Sequence, residues 1–219
     1  MSKNKAKSKV RTAKGRKTSS TRWLQRQLND PYVNEAEKHG YRSRAAFKIL
    51  EISEKLGGLF RKDMVVVDLG AAPGGWSQIA AAQGCKKIVA IDLLDIDPIE
   101  GVDFIQLDFM DDSAPDTLKE MIGGDGLVDL VMSDMAPNTT GHKQTDHLRI
   151  MVAVEAAYYF AREVLKPEGI FIAKVLQGGA QNTLLADMKH DFKTIKHIKP
   201  PASRKESSEQ YLVATGFRG

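Results

Sequence analysis

The segment from Asp68 to Trp76 is a glycine-rich turn whose residues suit the binding of a small cationic ligand. Its sequence, DLGAAPGGW, follows the apolar run 64–67 and precedes a helix-like segment, 77–83. Because glycine has no Cβ, a ligand can approach the backbone of such a turn closely. The spacing differs from the dinucleotide pattern G-x-G-x-x-G, and the acid at the strand end favours a cationic, amino-acid-bearing ligand over a pyrophosphate. The simpler interpretation is an ordinary strand-to-helix turn, but Pro-Gly-Gly-Trp is costly to hold in a turn without a use.

Two further strand-like runs end in acids that suit a nucleoside. Asp92 ends the run VAID, 24 positions after Asp68, where a carboxylate can accept hydrogen bonds from both ribose hydroxyls. Asp108 follows the next run, and its carboxylate can accept from an adenine amino group while Phe109 flanks the ring. Either acid alone is also explained as a surface carboxylate. Three acids at three successive strand ends favour a nucleoside pocket.

Lys174 lies in the middle of the apolar run FIAKV, where a charge is costly to bury without partners. Asp134 ends the run VMSD, and Glu209 opens the last strand, at the same end of the sheet if that strand is antiparallel. The alternative for Lys174 is an edge-strand lysine whose ammonium reaches solvent. Lys48, in a helix before the first strand, reads on its own as an ordinary surface lysine.

From residue 64 onward, strand-like and helix-like segments alternate, after a helical region at 31–56. This alternation predicts an α/β, Rossmann-like fold: a doubly wound, mostly parallel sheet of seven strands with helices on both faces. Two strands in succession at the end of the chain predict a C-terminal antiparallel hairpin. The candidate strands are 64–69, 87–92, 103–107, 127–134, 169–175, 194–198 and 210–215.

Lys48, Asp134, Lys174 and Glu209 occur in the order of the K-D-K-E tetrad of RNA ribose 2′-O-methyltransferases. The chain resembles the FtsJ/RrmJ family, which methylates a uridine of large-subunit (23S) ribosomal RNA. The resemblance runs from about Thr21 to Phe217 and departs at the Lys-rich extension before Ser20. It rests on the motifs STRWL (20–24), YRSRAAFK (41–48), DLGAAPGGWSQ (68–78), DLL (92–94) and VMSDMAPN (131–138).

The resemblance implies a class I methyltransferase that uses S-adenosylmethionine (AdoMet) and no metal. It implies that Lys48, Asp134, Lys174 and Glu209 are the catalytic residues. Lys174 would act as general base toward the 2′-OH or as the group that orients it. The implied partner is rRNA within the assembled or assembling large subunit. The AdoMet pocket would be lined by Gly74, Trp76, Asp92, Asp108 and Asp134.

Composition points to one enzyme-sized domain. The chain has 219 residues, of which 42% are hydrophobic, and its lone cysteine, Cys85, fits a reducing compartment. No apolar run is long enough to cross a bilayer and no signal peptide is visible, so we expect a cytoplasmic protein. The five histidines show no metal-ligand spacing, and no exposed apolar stripe demands a partner subunit, so we expect a monomer without a metal.

The N-terminal segment is strongly basic. Residues 1–29 carry ten Lys or Arg and no acid, and removing these ten charges from the net charge of +4 leaves −6 for the rest. We predict a disordered RNA-binding arm at 1–20 and one methyltransferase domain at 21–219; a solvated tail is the alternative. A basic and aromatic RNA surface would include Arg22, Trp23, Arg26, Arg42 and Arg44. The loop 138–145 would fold over the substrate.

Other functions are also compatible with parts of this sequence pattern. The same tetrad serves 2′-O-methylation of tRNA or an mRNA cap, and a non-catalytic ribosome-assembly factor would bind RNA and AdoMet without turnover. A nicotinamide-dependent oxidoreductase would need the G-x-G-x-x-G spacing and is disfavoured by Pro73-Gly74-Gly75. Binding of AdoMet rather than NADH in a calorimeter would separate this last alternative from the others.

Overall fold

The computed structural model describes residues 18–137, 139–177 and 182–219. The predicted arm at 1–20 lies outside these residues except for 18–20, which begin the first helix. Asn138 of the predicted 138–145 loop also lies outside them. The elements are α1 (Thr18–Leu28), α2 (Pro31–His39), α3 (Ala45–Lys55), β1 (Val65–Leu69), α4 (Gly75–Ala82), β2 (Lys87–Asp92), β3 (Val102–Gln106), α5 (Ala114–Ile122), β4 (Val128–Ser133), α6 (Lys143–Val164), β5 (Leu165–Leu176), α7 (Asn182–Asp191), β6 (Phe192–Ile198) and β7 (Glu209–Phe217).

The seven strands form one sheet in the order β3-β2-β1-β4-β5-β7-β6. The pairs β1–β2, β1–β4, β2–β3 and β4–β5 are parallel, whereas β7 runs antiparallel to both β5 and β6. This confirms the predicted Rossmann-like fold with its antiparallel C-terminal hairpin. The strand order reverses between β1 and β4, and ligands bind beyond the carboxyl ends of the strands at such a point.

Successive strand residues point to opposite faces of the sheet, so the core divides into two clusters. On one face, residues such as Val67 and Phe171 pack under α5, α6 and α7. On the other face, residues such as Val66 and Ile172 pack under α3 and α4. Nearly all of these side chains are less than a tenth exposed, so both faces are covered. No helix within the described ranges is long and apolar enough to cross a membrane.

Helix α6 begins at Lys143, inside the predicted 138–145 loop. The reason is local capping. The His142 side chain accepts a hydrogen bond from the backbone N–H of Thr145, and Asp146 Oδ1 accepts from the backbone N–H of Thr140 at 2.7 Å. These polar groups satisfy N–H donors ahead of and within the first turn, which extends the helix into the predicted loop.

Candidate active site

Strand register brings the four tetrad residues to one place. The β4–β5 pairing sets Ser133 opposite Ala173, so Asp134 and Lys174, one residue further along, lie side by side. In the β5–β7 pairing, Leu176 lies opposite Glu209. Lys174 and Glu209 share the face that α3 covers, and α3 carries Lys48. The four residues therefore meet at the carboxyl ends of β4 and β5.

The four charges alternate in sign through short contacts. Lys174 Nζ lies 2.8 Å from Asp134 Oδ1 and 4.0 Å from Glu209 Oε2, and it also donates to the Asp134 carbonyl oxygen at 2.8 Å. Lys48 Nζ lies 2.7 Å from Glu209 Oε1. Only 9% of the Lys174 side chain is exposed, against 18% for Asp134. Two cations and two carboxylates balance, which is what a nearly buried charge cluster requires.

Tyr211 occupies the centre of this cluster and was not identified from the sequence. Its hydroxyl donates to Asp134 Oδ1 at 2.7 Å, and it accepts a hydrogen bond from Lys48 Nζ at 3.1 Å. Tyr211 is fully buried and lies opposite Lys174 in the sheet. A signal was present in the sequence: Tyr211 follows Glu209 by two positions, so the two must share a face of the strand.

The cluster fixes the protonation of two of its members. Burial alone would raise the pKa of Asp134, but the charges of Lys174 and Lys48, with hydrogen bonds from Lys174 and Tyr211, hold it below its usual value. Burial, together with the carboxylates of Asp134 and Glu209, raises the pKa of Tyr211 well above its ordinary value. At neutral pH, Asp134 is therefore an anion and Tyr211 a neutral hydrogen-bond donor.

A cavity of about 400 Å³ opens at the ends of β1, β2 and β3. Gly70, Asp92 and Asp108 line it, and the rest of its wall is mostly apolar, from Ile91, Leu93, Leu94, Phe109, Met110, Met135, Ala136, Pro137 and Ala153. Gly70 has φ +77°, and a Cβ there would lie 2.7 Å from Met135 Cγ, so no other residue fits at this point of the wall.

Both acids also shape the loops that border this cavity. Asp92 Oδ2 accepts from the backbone N–H of Ala72 and Oδ1 from that of Leu94, both at 2.8 Å. Asp108 Oδ1 accepts from the backbone N–H of Met110 at 3.0 Å. Asp92 thus joins the glycine-rich turn to the segment after β2.

The other three residues predicted for the pocket lie beside the cavity rather than in its wall. Asp134 adjoins it through Met135. The Trp76 indole is buried, contacts the Tyr211 ring at a centroid distance of 5.4 Å and donates to the Ala45 carbonyl, so its side chain anchors the turn to α3. Gly74 has φ +100°, and a Cβ there would lie 2.7 Å from Ile99 Cδ1.

Arg42 fastens two loops together at this point. Its guanidinium donates to the carbonyls of Asp97 at 2.6 Å and Pro98 at 2.7 Å, and more weakly to that of Pro73 at 3.4 Å. Its backbone N–H donates to Gln78 Oε1 of α4 at 2.9 Å. Arg42 therefore holds the glycine-rich turn and the 95–99 segment in a fixed relation.

The basic surface predicted for RNA is only partly described. Arg42 and Arg44 both bind acceptors of the protein: Arg44 forms an ion pair with Asp30 and donates to the Ala202 carbonyl. Arg26 is exposed. The side chains of Arg22 and Trp23 lie outside what the structure describes. Within the described residues, no three His, Cys, Asp or Glu side chains converge in a way that could hold a metal.

Asp68 lies directly beneath the glycine-rich turn and is fully buried. Its Oδ2 accepts from Ser77 Oγ at 2.6 Å, while Oδ1 has no hydrogen-bond partner among the residues that the structure describes. Burial raises the pKa of Asp68 to about 7, opposed by the Ser77 hydrogen bonds and assisted by the charges of Asp134 and Asp92. The protein therefore carries a buried carboxyl group that ionises only near neutral pH.

Comparison with known proteins places this site in a family. Residues 41–217 match the FtsJ-like methyltransferase family. A protein of Azorhizobium caulinodans called ribosomal RNA large subunit methyltransferase E is 60% identical over 216 residues, covering 96% of this chain and 89% of its own. A protein of the same name from Rhodopseudomonas palustris strain HaA2 is 61% identical over 208 residues, covering 93% and 87%.

One solved structure is similar in both sequence and fold. It is a Plasmodium falciparum protein assigned provisionally as a ribosomal RNA methyltransferase. It superposes with a TM-score of 0.72 at 32% identity, covering 82% of this chain and all of its own. The similarity therefore extends over most of the chain.

Replacing Asp68 by Asn is expected to change how stability depends on pH. Because the pKa of Asp68 is raised in the folded protein, the unfolded chain loses this proton at a lower pH than the folded protein does. The wild type therefore loses stability as the pH rises from about 4 to about 7. The variant has no carboxyl group at this position and does not lose this stability. The difference between its free energy of unfolding and that of the wild type should therefore increase by up to ~4 kcal/mol across this pH range. Urea unfolding at pH 4.5 and pH 8 measures the difference. Asp103→Asn, at an exposed site, is the control, and a pH-independent difference would contradict the account.

Proposed function

The chain belongs to the FtsJ-like methyltransferase family, and we propose that it methylates the ribose 2′-OH of a uridine in large-subunit ribosomal RNA. The methyl donor of this methyltransferase is AdoMet. One observation carries the proposal: Lys174, nearly buried and in contact with Asp134, stands beside a nucleoside-sized cavity with acidic and apolar walls. The relatives named for large-subunit rRNA support the choice of substrate.

The cavity fits AdoMet by its chemistry. Asp92 and Asp108 offer carboxylates to ribose hydroxyls and an adenine amino group, and Phe109 and Leu93 offer apolar surface to a ring. Carboxylates also suit the positive charge of a sulfonium. When bound, AdoMet supplies an electrophilic methyl group. The unpartnered Oδ1 of the buried Asp68 adds a negative potential beneath the turn when Asp68 is ionised.

A ribose hydroxyl is a poor nucleophile while it keeps its proton. We infer that Lys174 Nζ either accepts this proton or, if charged, orients the hydroxyl and stabilises the oxygen as its negative charge develops. Asp134 holds Nζ through two of its oxygens, the carboxylate Oδ1 and the backbone carbonyl. Lys48 neutralises Glu209, and Tyr211 fixes Asp134. These contacts limit the motion of Nζ, which orientation of an attacking group requires.

Transfer of a radiolabelled methyl group from AdoMet tests the function. The acceptors are purified large ribosomal subunits and protein-free rRNA, with nuclease mapping of the labelled nucleotide. Label in a 2′-O-methyluridine supports the proposal and identifies the form of RNA that is used. Label in tRNA alone, or none in any RNA despite AdoMet binding, would refute it.

Lys174→Ala is expected to lower the methyl-transfer rate by about 100- to 10,000-fold, the range of a lost general base. AdoMet affinity should stay within a few-fold, because the cavity wall does not include Lys174. Lys166→Ala, on the same strand but paired with Asp129, is the matched control and should keep its rate. Wild-type turnover in Lys174→Ala would remove Lys174 from the mechanism.

Lys174→Arg separates the two roles of Lys174. A guanidinium stays charged, so it can orient a hydroxyl but does not remove its proton. A rate within tenfold of the wild type would assign the orienting role. A rate as low as that of Lys174→Ala, in a variant that still binds AdoMet, favours the base.

Tyr211→Phe is expected to lower kcat by about 10- to 100-fold without a large change in AdoMet affinity, because Asp134 loses a fixed hydrogen bond. Since that bond helps to hold the pKa of Asp134 down, the acid limb of the pH–rate profile should move to higher pH. The control is Tyr158→Phe, a second buried tyrosine that donates to Asp191 at 2.6 Å. An unmoved acid limb would limit Tyr211 to a structural role.

Arg42→Ala is expected to weaken AdoMet binding about tenfold, because it releases the 95–99 segment from the glycine-rich turn. The AdoMet affinity of Arg42→Lys should lie between those of Arg42→Ala and the wild type, since an ammonium lacks the forked geometry that reaches neighbouring carbonyls. Calorimetry with AdoMet measures this, and Arg61→Ala, more than half exposed and paired with Asp63 and Asp129 instead, is the control. Equal affinities would show that the turn keeps its shape without Arg42.

A further inference from the structure

A further cavity, of about 840 Å³, lies between the start of α6, the end of β5 and the connection that leads into β7. Thr139 and the first two turns of α6 form one part of its wall. Leu176 and Gln177, where β5 ends, form another, and Glu206 and Ser208 form the part that precedes β7. Its volume lies within the range of about 300–1,000 Å³ that is usual for ligand pockets. We call this the α6 cavity.

The α6 cavity borders the catalytic cluster. Ser208 immediately precedes Glu209, and its carbonyl accepts a hydrogen bond from the backbone N–H of Gln177 at 2.6 Å. Leu176 lies opposite Glu209 in the β5–β7 pairing. Glu206 lines both the α6 cavity and a smaller cavity of about 370 Å³ that Glu209 also lines. A ligand in the α6 cavity therefore lies next to the tetrad.

The wall of the α6 cavity combines apolar surface with neutral polar groups. Leu148, Ile150 and Leu176 supply apolar side chains, and Leu148 is 55% exposed. Gln144 and Gln177 contribute primary amides, each of which has an acceptor oxygen and two N–H donors. A nucleobase has the matching character, because its faces are apolar and its edge carries donors and acceptors.

The charges in this wall do not favour a phosphate. Even with His147 protonated, the two basic side chains of Lys143 and His147 are matched by the two carboxylates of Asp146 and Glu206. The Asp146 carboxylate is also engaged by the loop, since its Oδ1 accepts from the backbone N–H and the hydroxyl of Thr140, both at 2.7 Å. A cavity without excess positive charge suits a neutral base better than a polyanionic backbone.

We propose that the α6 cavity receives the base of the acceptor uridine. The faces of the base pack against Leu148 and Leu176. Its edge forms hydrogen bonds with the amides of Gln144 and Gln177, which present both the donors and the acceptor that uracil requires. The inference rests on the proposed function and deepens it by assigning the residues that contact the base. Proteins that recognise RNA sequence commonly hold unstacked bases in this way, and a base held beside Glu209 leaves its ribose at the tetrad.

Photo-cross-linking tests the position of the base. Large ribosomal subunits whose rRNA carries 4-thiouridine at the methylated position are irradiated with the full chain and S-adenosylhomocysteine, and the cross-linked peptides are sequenced. Cross-links are expected within residues 143–150 or at 176–177. Cross-links confined to other segments would overturn the proposal.

Kinetics with the same large subunits, carrying unmodified uridine or cytidine at that position, test the amides. Gln144→Ala and Gln177→Ala should each lower kcat/KM for the uridine subunits about three- to tenfold, the effect of one lost hydrogen bond, and reduce the preference for uridine over cytidine. AdoMet affinity and the unfolding midpoint should not change. The control is Gln83→Ala, an exposed glutamine outside the cavity, which should behave like the wild type.

A matched pair of substitutions on α6 tests the apolar part of the cavity. Leu148→Trp puts bulk into it and should lower kcat/KM for the subunits more than tenfold. Val152→Trp, one turn further along and 53% exposed, lies outside the cavity wall and should keep its rate.

The outcomes separate the two proposals. Wild-type kcat/KM in Leu148→Trp and in both alanine variants would overturn the assignment of the cavity, and so would an equal loss of AdoMet affinity in all three. A wild type that cross-links through the cavity but methylates no RNA would refute the proposed function alone.

Discussion

The ion pair between Lys174 and Asp134 is the constraint on which the rest of the site depends. A charge in the middle of an apolar strand must be neutralised within a few ångströms, and the β4–β5 register alone brings a carboxylate there. The second carboxylate, Glu209, then requires its own cation, which α3 supplies as Lys48. The antiparallel pairing of β7 with β5 sets Tyr211 opposite Lys174 and brings Glu209 to this end of the sheet.

The ligand cavity is joined to the tetrad through the glycine-rich turn. The Trp76 ring packs against Tyr211, so a residue that is hydrogen-bonded to the tetrad also supports the glycine-rich turn. Asp92 and Arg42 fasten the turn from the other side, through Ala72 and Pro73. Packed side chains therefore link the cavity and the tetrad over a short distance. Such contacts can carry energetic coupling between two sites.

The sequence predicts the architecture well because strand alternation and strand-end acids are local signals. The seven strands, the closing hairpin and the positions of Asp92, Asp108 and Asp134 all follow from such runs. What the sequence does not reveal depends on distant backbone. Arg42 is indistinguishable from an RNA-binding arginine until the carbonyls of Asp97 and Pro98 are brought beside it by the fold. The ion pair of Asp30 with Arg204 spans most of the chain and carries no periodic signal. The position of Tyr211 on the same strand face as Glu209 was predictable from their spacing. Its hydrogen bonds with Lys48 and Asp134 were not, because those residues are distant in the sequence.

The surroundings of the tetrad differ in charge on its two sides. The cavity at the ends of β1 to β3 offers the carboxylates of Asp92 and Asp108, whereas the surface on the side of Lys48 and Glu209 is lined by three guanidinium groups, those of Arg26, Arg44 and Arg204. Between them, the four tetrad charges balance, and the neutral Tyr211 adds none. Because the cluster has no net charge, it repels neither a cation nor an anion that comes near it.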